Sequence, residues 1–156
     1  MRIQIDLIGE RQIDRRLERY IGLSANMEPV FEEIHTYLLN IEEKQFGSQG
    51  RFSGHPWAAL AQSTKDFKAR AGLDPRILHA TLALRKSLTK EGDPSHVKFI
   101  GPSIMVFGTT IPYAIYHQKP QGDLTRRRPI DLTETQKVTM MKMIQAFLRT
   151  ARNLRV

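Results

Sequence analysis

An α+β fold, a small antiparallel sheet packed against helices, is the class predicted for these 156 residues, and three observations carry that expectation. Two long stretches, opening near Met27 and near Thr133, repeat apolar side chains at spacings of three and four, the period of a helix with one buried stripe. Between them, His96–Ile100 and Ile104–Phe107 flank Gly101-Pro102-Ser103, which reads as an antiparallel hairpin around a tight turn. Ahead of both, Ile3, Ile5 and Leu7 alternate with Arg2, Gln4 and Asp6, as in a strand with one wet face. This order of strand, helices, hairpin and helix segregates the element types, and the length suits a single domain spanning 1–156.

Each element has its own local reason. Gly9 ends the first strand, and a short helix follows with Ile13, Leu17 and Tyr20 or Ile21 on one face. The long N-terminal helix starts between Asn26 and Pro29, because proline fits a first turn whose N–H groups have no internal partner. Its stripe is Met27, Val30, Phe31, Ile34, Tyr37, Leu38 and Ile41, while Glu32, Glu33, Glu42 and Glu43 are assigned to a solvated face. Over residues 45–73 the periodicity stops and Gly47, Ser48, Gly50, Ser53, Gly54 and Gly72 interrupt it. An extended, flexible loop that orders on assembly is expected there, with a self-packed Ω-loop as the alternative. Asp74-Pro75 reads as N-cap and first residue of a helix whose stripe runs through Ile77, Leu78, Leu82 and Leu88. Tyr113–Gln118 reads as a short helix, and residues 119–128 as a second flexible loop ending in three arginines. Thr133-Glu134-Thr135-Gln136 has the form of a capping box for the long C-terminal helix. The stripe expected on that helix is Val138, Met141, Ile144, Phe147 or Leu148, and Ala151. So small a sheet needs either the long helix across one face or a neighbour's strand on its edge.

Composition narrows the function classes. There is no cysteine, which removes disulfides and thiolate chemistry, and no run approaches the ~20 apolar residues of a membrane span. A soluble chain with no membrane partner is expected. The net charge of +8 is unevenly placed: residues 1–46 hold six Lys/Arg against nine Asp/Glu, net −3, and residues 47–156 hold eighteen against seven, net +11. An acidic front and a basic back suit either packing between subunits or a polyanionic partner.

A series of short blocks carries a more specific signal: Pro56-Trp57-Ala58-Ala59-Leu60 with Ser63-Thr64 and Lys68, then Ile77-Leu78 through Thr81-Leu82 to Ser87-Leu88. Tyr113-Ala114-Ile115-Tyr116-His117-Gln118 and Arg128-Pro129-Ile130-Asp131-Leu132-Thr133 follow. In this order and spacing, over about half the chain, the blocks resemble the phage virion-morphogenesis, or tail-completion, family of the Mu G-protein type. Two departures are a residue other than glycine at Ala83 and a late glycine, Gly122, after the His-Gln pair. The resemblance implies a non-enzymatic structural protein of a phage or prophage that completes the tail or the head–tail junction. It implies partners among tail or connector proteins, a homo-oligomeric ring of sixfold order, and a place in the virion after assembly in the host cytoplasm.

Other chemistry is weakly signalled. Histidines 35, 55, 79, 96 and 117 have no metal-ligand spacing, and no nucleophile elbow or phosphate loop occurs, so no cofactor, metal or catalytic residue is assigned and a small hydrolase ranks last. The rival reading is a basic nucleic-acid-binding module with non-specific DNA contact, in which Lys65, Lys68, Lys119, Arg70 and Arg126-Arg127-Arg128 neutralise phosphates. Trp57, set among glycine, serine and basic residues, is read as an interface anchor that becomes buried on assembly, with a core anchor as the alternative. The interaction residues expected are therefore Trp57, Lys65, Lys68, Arg126, Arg127 and Arg128.

Overall fold

The computed structural model describes residues 26–119 and 125–153, together with positions 18, 21 and 22, which are helical. The expected strand at Ile3–Leu7 and most of the short helix after it lie outside the described residues. Helix α1, Glu28–Gly47, is the spine of the molecule. The Asn26 side chain accepts a hydrogen bond from the Glu28 amide at 3.0 Å and Pro29 sits in the first turn, so the start follows local chemistry. Its buried stripe Val30, Ile34, Leu38 and Ile41 packs against Met105 and Phe107 on one side and Leu132, Met140, Met143, Ile144 and Phe147 on the other. The helix is thus held between the hairpin and the C-terminal helix.

Strands β1, His96–Ile100, and β2, Met105–Thr109, pair antiparallel with His96 opposite Thr109 and Ile100 opposite Met105. The period-2 pattern places Phe107 inward and leaves Phe99 and Val106, which face each other across the pair, on the outer side. Helix α5, Glu134–Asn153, opens with the expected capping box: the Gln136 amide donates to Thr133 Oγ1 at 3.2 Å and the Thr133 amide to Gln136 Oε1 at 2.8 Å. Its partly buried stripe keeps the expected Ile144 and Phe147 and departs from the expected one at Val138 and Met141. Met140, Met143, Ile144 and Phe147 face α1, whereas Val138 and Met141 stand in solvent. The run of three methionines over 140–143 offers two candidate stripes, and packing against α1 selects between them.

The segment expected as a loop over 45–73 has structure. After α1 ends, Gln49 and Gly50 take positive φ, a 3-10 turn covers Arg51–Ser53, and helix α2 runs over Gln62–Arg70. The only buried side chain of α2 is Lys68, so no apolar period announces the helix. The turn is tied inward by Gln45, whose side chain exchanges hydrogen bonds with the Ser53 hydroxyl at 2.9 Å and the Ser53 amide at 3.1 Å. The helix expected from Asp74 is also shorter: α3 spans Ala83–Thr89 alone. Asp74 makes an Asx turn to the Arg76 amide instead of capping a helix, and Leu78 and Leu82 adopt φ of 58° and 60°, a left-handed conformation that ends helical winding. Helix α4, Ala114–Gln118, occupies the place the sequence predicts.

Phe46, Trp57, Leu84 and Leu88 form a second core cluster, with Phe107 bridging it to the first.

Candidate assembly interface

The blocks that carry the family resemblance fold onto one another around this second cluster. Trp57 packs edge-on against Phe46, ring centroids 5.3 Å apart, and its Nε1–H donates to the Arg128 carbonyl at 2.8 Å. Gln118 locks α4 to the next block twice, donating to the Ile130 carbonyl at 2.7 Å and accepting from the Ile130 amide at 3.2 Å. Asp131 receives His55 Nδ1 at 2.9 Å and Arg128 at 3.4 Å. Gly50 is required here: a Cβ at its position meets Trp57 Cδ1 at 2.6 Å and the His55 carbonyl at 2.7 Å, and its φ is +87°.

The residues expected at an interface therefore divide. Trp57, 6% exposed, is buried within the subunit, which corrects the reading that it waits for a partner. Its apolar surroundings, Phe46 and Leu84 among them, come from distant segments, so its glycine- and serine-rich sequence neighbours misreport its environment. Lys68 is also 6% exposed, with Nζ donating to the carbonyls of Asp74 at 2.9 Å and Arg76 at 2.6 Å, so it is recessed from the outer surface along which a nucleic-acid backbone would run. Arg127 donates through Nε and Nη2 to the carbonyls of Ala58 and Ala59, at 2.8 and 2.9 Å. Arg128 is engaged by Asp131, whereas Lys65 and Arg126 remain exposed. The three arginine side chains are thus not equivalent: Arg126 faces solvent, Arg127 fastens the segment to residues 58–59, and Arg128 pairs locally with Asp131. Residues 120–124 of the second expected loop lie outside the described residues.

Two buried features were not visible in the sequence. Glu42, assigned to a solvated face, is fully buried, and neither carboxyl oxygen has a hydrogen-bond partner among the described residues. Burial pushes its carboxyl well above the usual range, and the charge of Asp131 adds to the shift. The second is a histidine pair. His96 Nδ1 lies 2.7 Å from the Ser87 carbonyl, which only accepts, so in the neutral ring Nε2 is left to accept from His35 Nε2 at 2.9 Å. The two residues are 61 positions apart, which no spacing rule detects. Burial first and Lys98 second hold the His35 ring below its ordinary value. No group of three or more metal-ligating side chains occurs among the described residues, and none of their helices is long and apolar enough to cross a membrane.

The outside of the molecule carries large apolar side chains. Phe99 (55% exposed), Ile104 and Val106 cover the outer side of the hairpin, and Tyr113, Ile115 and Tyr116 line the exposed side of α4. Between α2, α4 and the 77–84 segment lies a groove of about 520 Å³ with apolar walls that include Leu60, Ile77, Leu78 and Tyr113. Clustered exposed apolar groups of this kind mark interaction surfaces. The arrangement suits association.

Comparison with curated proteins and with solved structures gave no match. The phage virion morphogenesis family matches residues 8–153, which takes in every described helix and strand and all the blocks above. The chain belongs to the phage virion morphogenesis family, and its role is that of a virion-associated structural and assembly protein.

Proposed function

We propose that the protein completes the tail, or the junction between head and tail, during virion assembly in the host cytoplasm, by self-association and contacts with tail or connector proteins. The observation that carries this reading is the concentration of exposed aromatic and aliphatic side chains on the hairpin and α4, on a chain whose front is acidic and whose back is basic. A heterologous contact between the two ends of the charge distribution closes into a ring when the rotation permits, and a sixfold ring is the form proposed. The rival DNA-binding reading would rest on Lys65, Arg70, Lys119 and Arg126, which are exposed, since Lys68 is recessed and Arg128 pairs with Asp131. Light scattering on the size-fractionated protein, with and without DNA, tests the choice. A discrete oligomer whose mass ignores DNA is expected; a monomer that shifts only when DNA is added overturns the proposal.

A further inference from the structure

The groove between α2, α4 and residues 77–84 has an unusual balance of groups. Its walls are apolar, yet it is lined by Lys68, Arg127 and His117 and by no aspartate or glutamate among the described residues. Both stronger cations are held by neutral groups alone, Lys68 by two backbone carbonyls and Arg127 by two more. Desolvation lowers the pKa of each of the three, which reports positive charge drawn out of water without a carboxylate at contact distance. Asp74 offsets this only partly, because its carboxylate is taken by the Arg76 guanidinium. A buried cation without an anion is costly, and an incoming carboxylate relieves that cost.

The wall itself is strained. Leu78 lines the groove in a left-handed conformation and Leu82 follows in another, in a segment whose apolar spacing is that of a continuous helix. Left-handed conformations at non-glycine residues are strained and cluster where ligands are clamped. Such a groove fits an apolar segment that carries carboxylates and no cation. Ile3-Gln4-Ile5-Asp6-Leu7-Ile8-Gly9-Glu10 is a segment of that composition, with four large aliphatic side chains, two carboxylates and no lysine or arginine. The other apolar and acidic stretches without lysine or arginine, within α1 and over residues 129–136, have their apolar side chains packed against the cores.

We propose that residues 3–10 of a second copy of this chain dock in the groove, their aliphatic side chains on its apolar walls and Asp6 and Glu10 toward Lys68 and Arg127. The docking rests on the self-association proposed above and names the two surfaces that meet: the acidic front of one copy and the basic back of the next.

The absence of native cysteine makes a cross-linking test unambiguous. Full-length Ile5→Cys is mixed with full-length Thr81→Cys, on the groove wall, and in parallel with Ile104→Cys, on the hairpin; both mixtures are oxidised and separated without reductant. A disulfide-linked dimer with Thr81→Cys and none with Ile104→Cys is expected. In the otherwise native chain, Asp6→Lys, which sets a cation against Lys68 and Arg127, is expected to weaken association by about tenfold or more. Linking only within one chain, in the Ile5→Cys/Thr81→Cys double variant, overturns the second copy as occupant. A stable oligomer by light scattering with no groove cross-link, equal linking at both sites, or unchanged association of Asp6→Lys overturns the docking and leaves self-association standing. A protein that is monomeric throughout overturns both.

Discussion

Trp57→Ala tests the interior of the protein where the blocks shared with the family converge. The indole is almost fully buried against Phe46, and its N–H is the donor for the Arg128 carbonyl. Truncating a buried tryptophan to alanine costs about 3–5 kcal/mol in transfer and cavity free energy. The orphaned carbonyl of Arg128 adds roughly 1 kcal/mol, and because the two effects overlap the total is about 4–5 kcal/mol. Against a domain stability of roughly 5–15 kcal/mol, that leaves the variant marginal. Urea titration followed by far-ultraviolet circular dichroism is the assay, since the substitution removes the fluorophore. Trp57→Phe keeps a six-membered ring but loses the hydrogen bond and three ring-system atoms, so its loss should be smaller than that of alanine, about 2–3 kcal/mol. An alanine variant with an unchanged unfolding midpoint, but with oligomers lost, would contradict the buried placement and return Trp57 to the interface.

Other substitutions have signs set by the same geometry. Gly50→Ala forces a Cβ into Trp57 and the His55 carbonyl at a φ that disfavours it, so a loss of about 2 kcal/mol or more is expected, and thermal melts that match the parent would contradict it. Glu42 has a raised folded-state pKa, so the stability it contributes is fully present below its ordinary value of 4.5 and is lost as pH rises above it. Glu42→Gln should therefore raise the melting temperature at neutral pH and flatten its fall toward alkaline pH; an unaltered pH profile would sink the assignment. Arg126→Ser should move stability by no more than about 0.5 kcal/mol, while Arg127→Ser, which unfastens Ala58 and Ala59, should cost about 1–3 kcal/mol in the same denaturant assay. Equal effects at the two arginines would show that the 125–128 segment is not anchored as described.

Where local chemistry decides the structure, the sequence was legible. Pro29 in a first turn, the Thr133–Gln136 capping box and the Gly101-Pro102-Ser103 turn each act through neighbours in the chain, and α1, α5 and the hairpin appear where expected. Where partners are distant it was not. Trp57 finds Phe46 and Arg128, His35 finds His96, and Lys68 is buried on a helix that presents no apolar stripe. Glu42 shows the limit of helical periodicity most plainly: the solvated face assigned to it is the buried one beside Asp131. Leu78 and Leu82 break an apolar pattern that reads as one helix, and these strained residues flank the groove where an interaction is proposed.

Electron microscopy of particles assembled without this protein tests the proposed joining of virion parts by association. Heads and tails that accumulate separately, and that join when the purified protein is added back, are the predicted result. Complete, joined particles formed in its absence would show that the protein is not needed for joining.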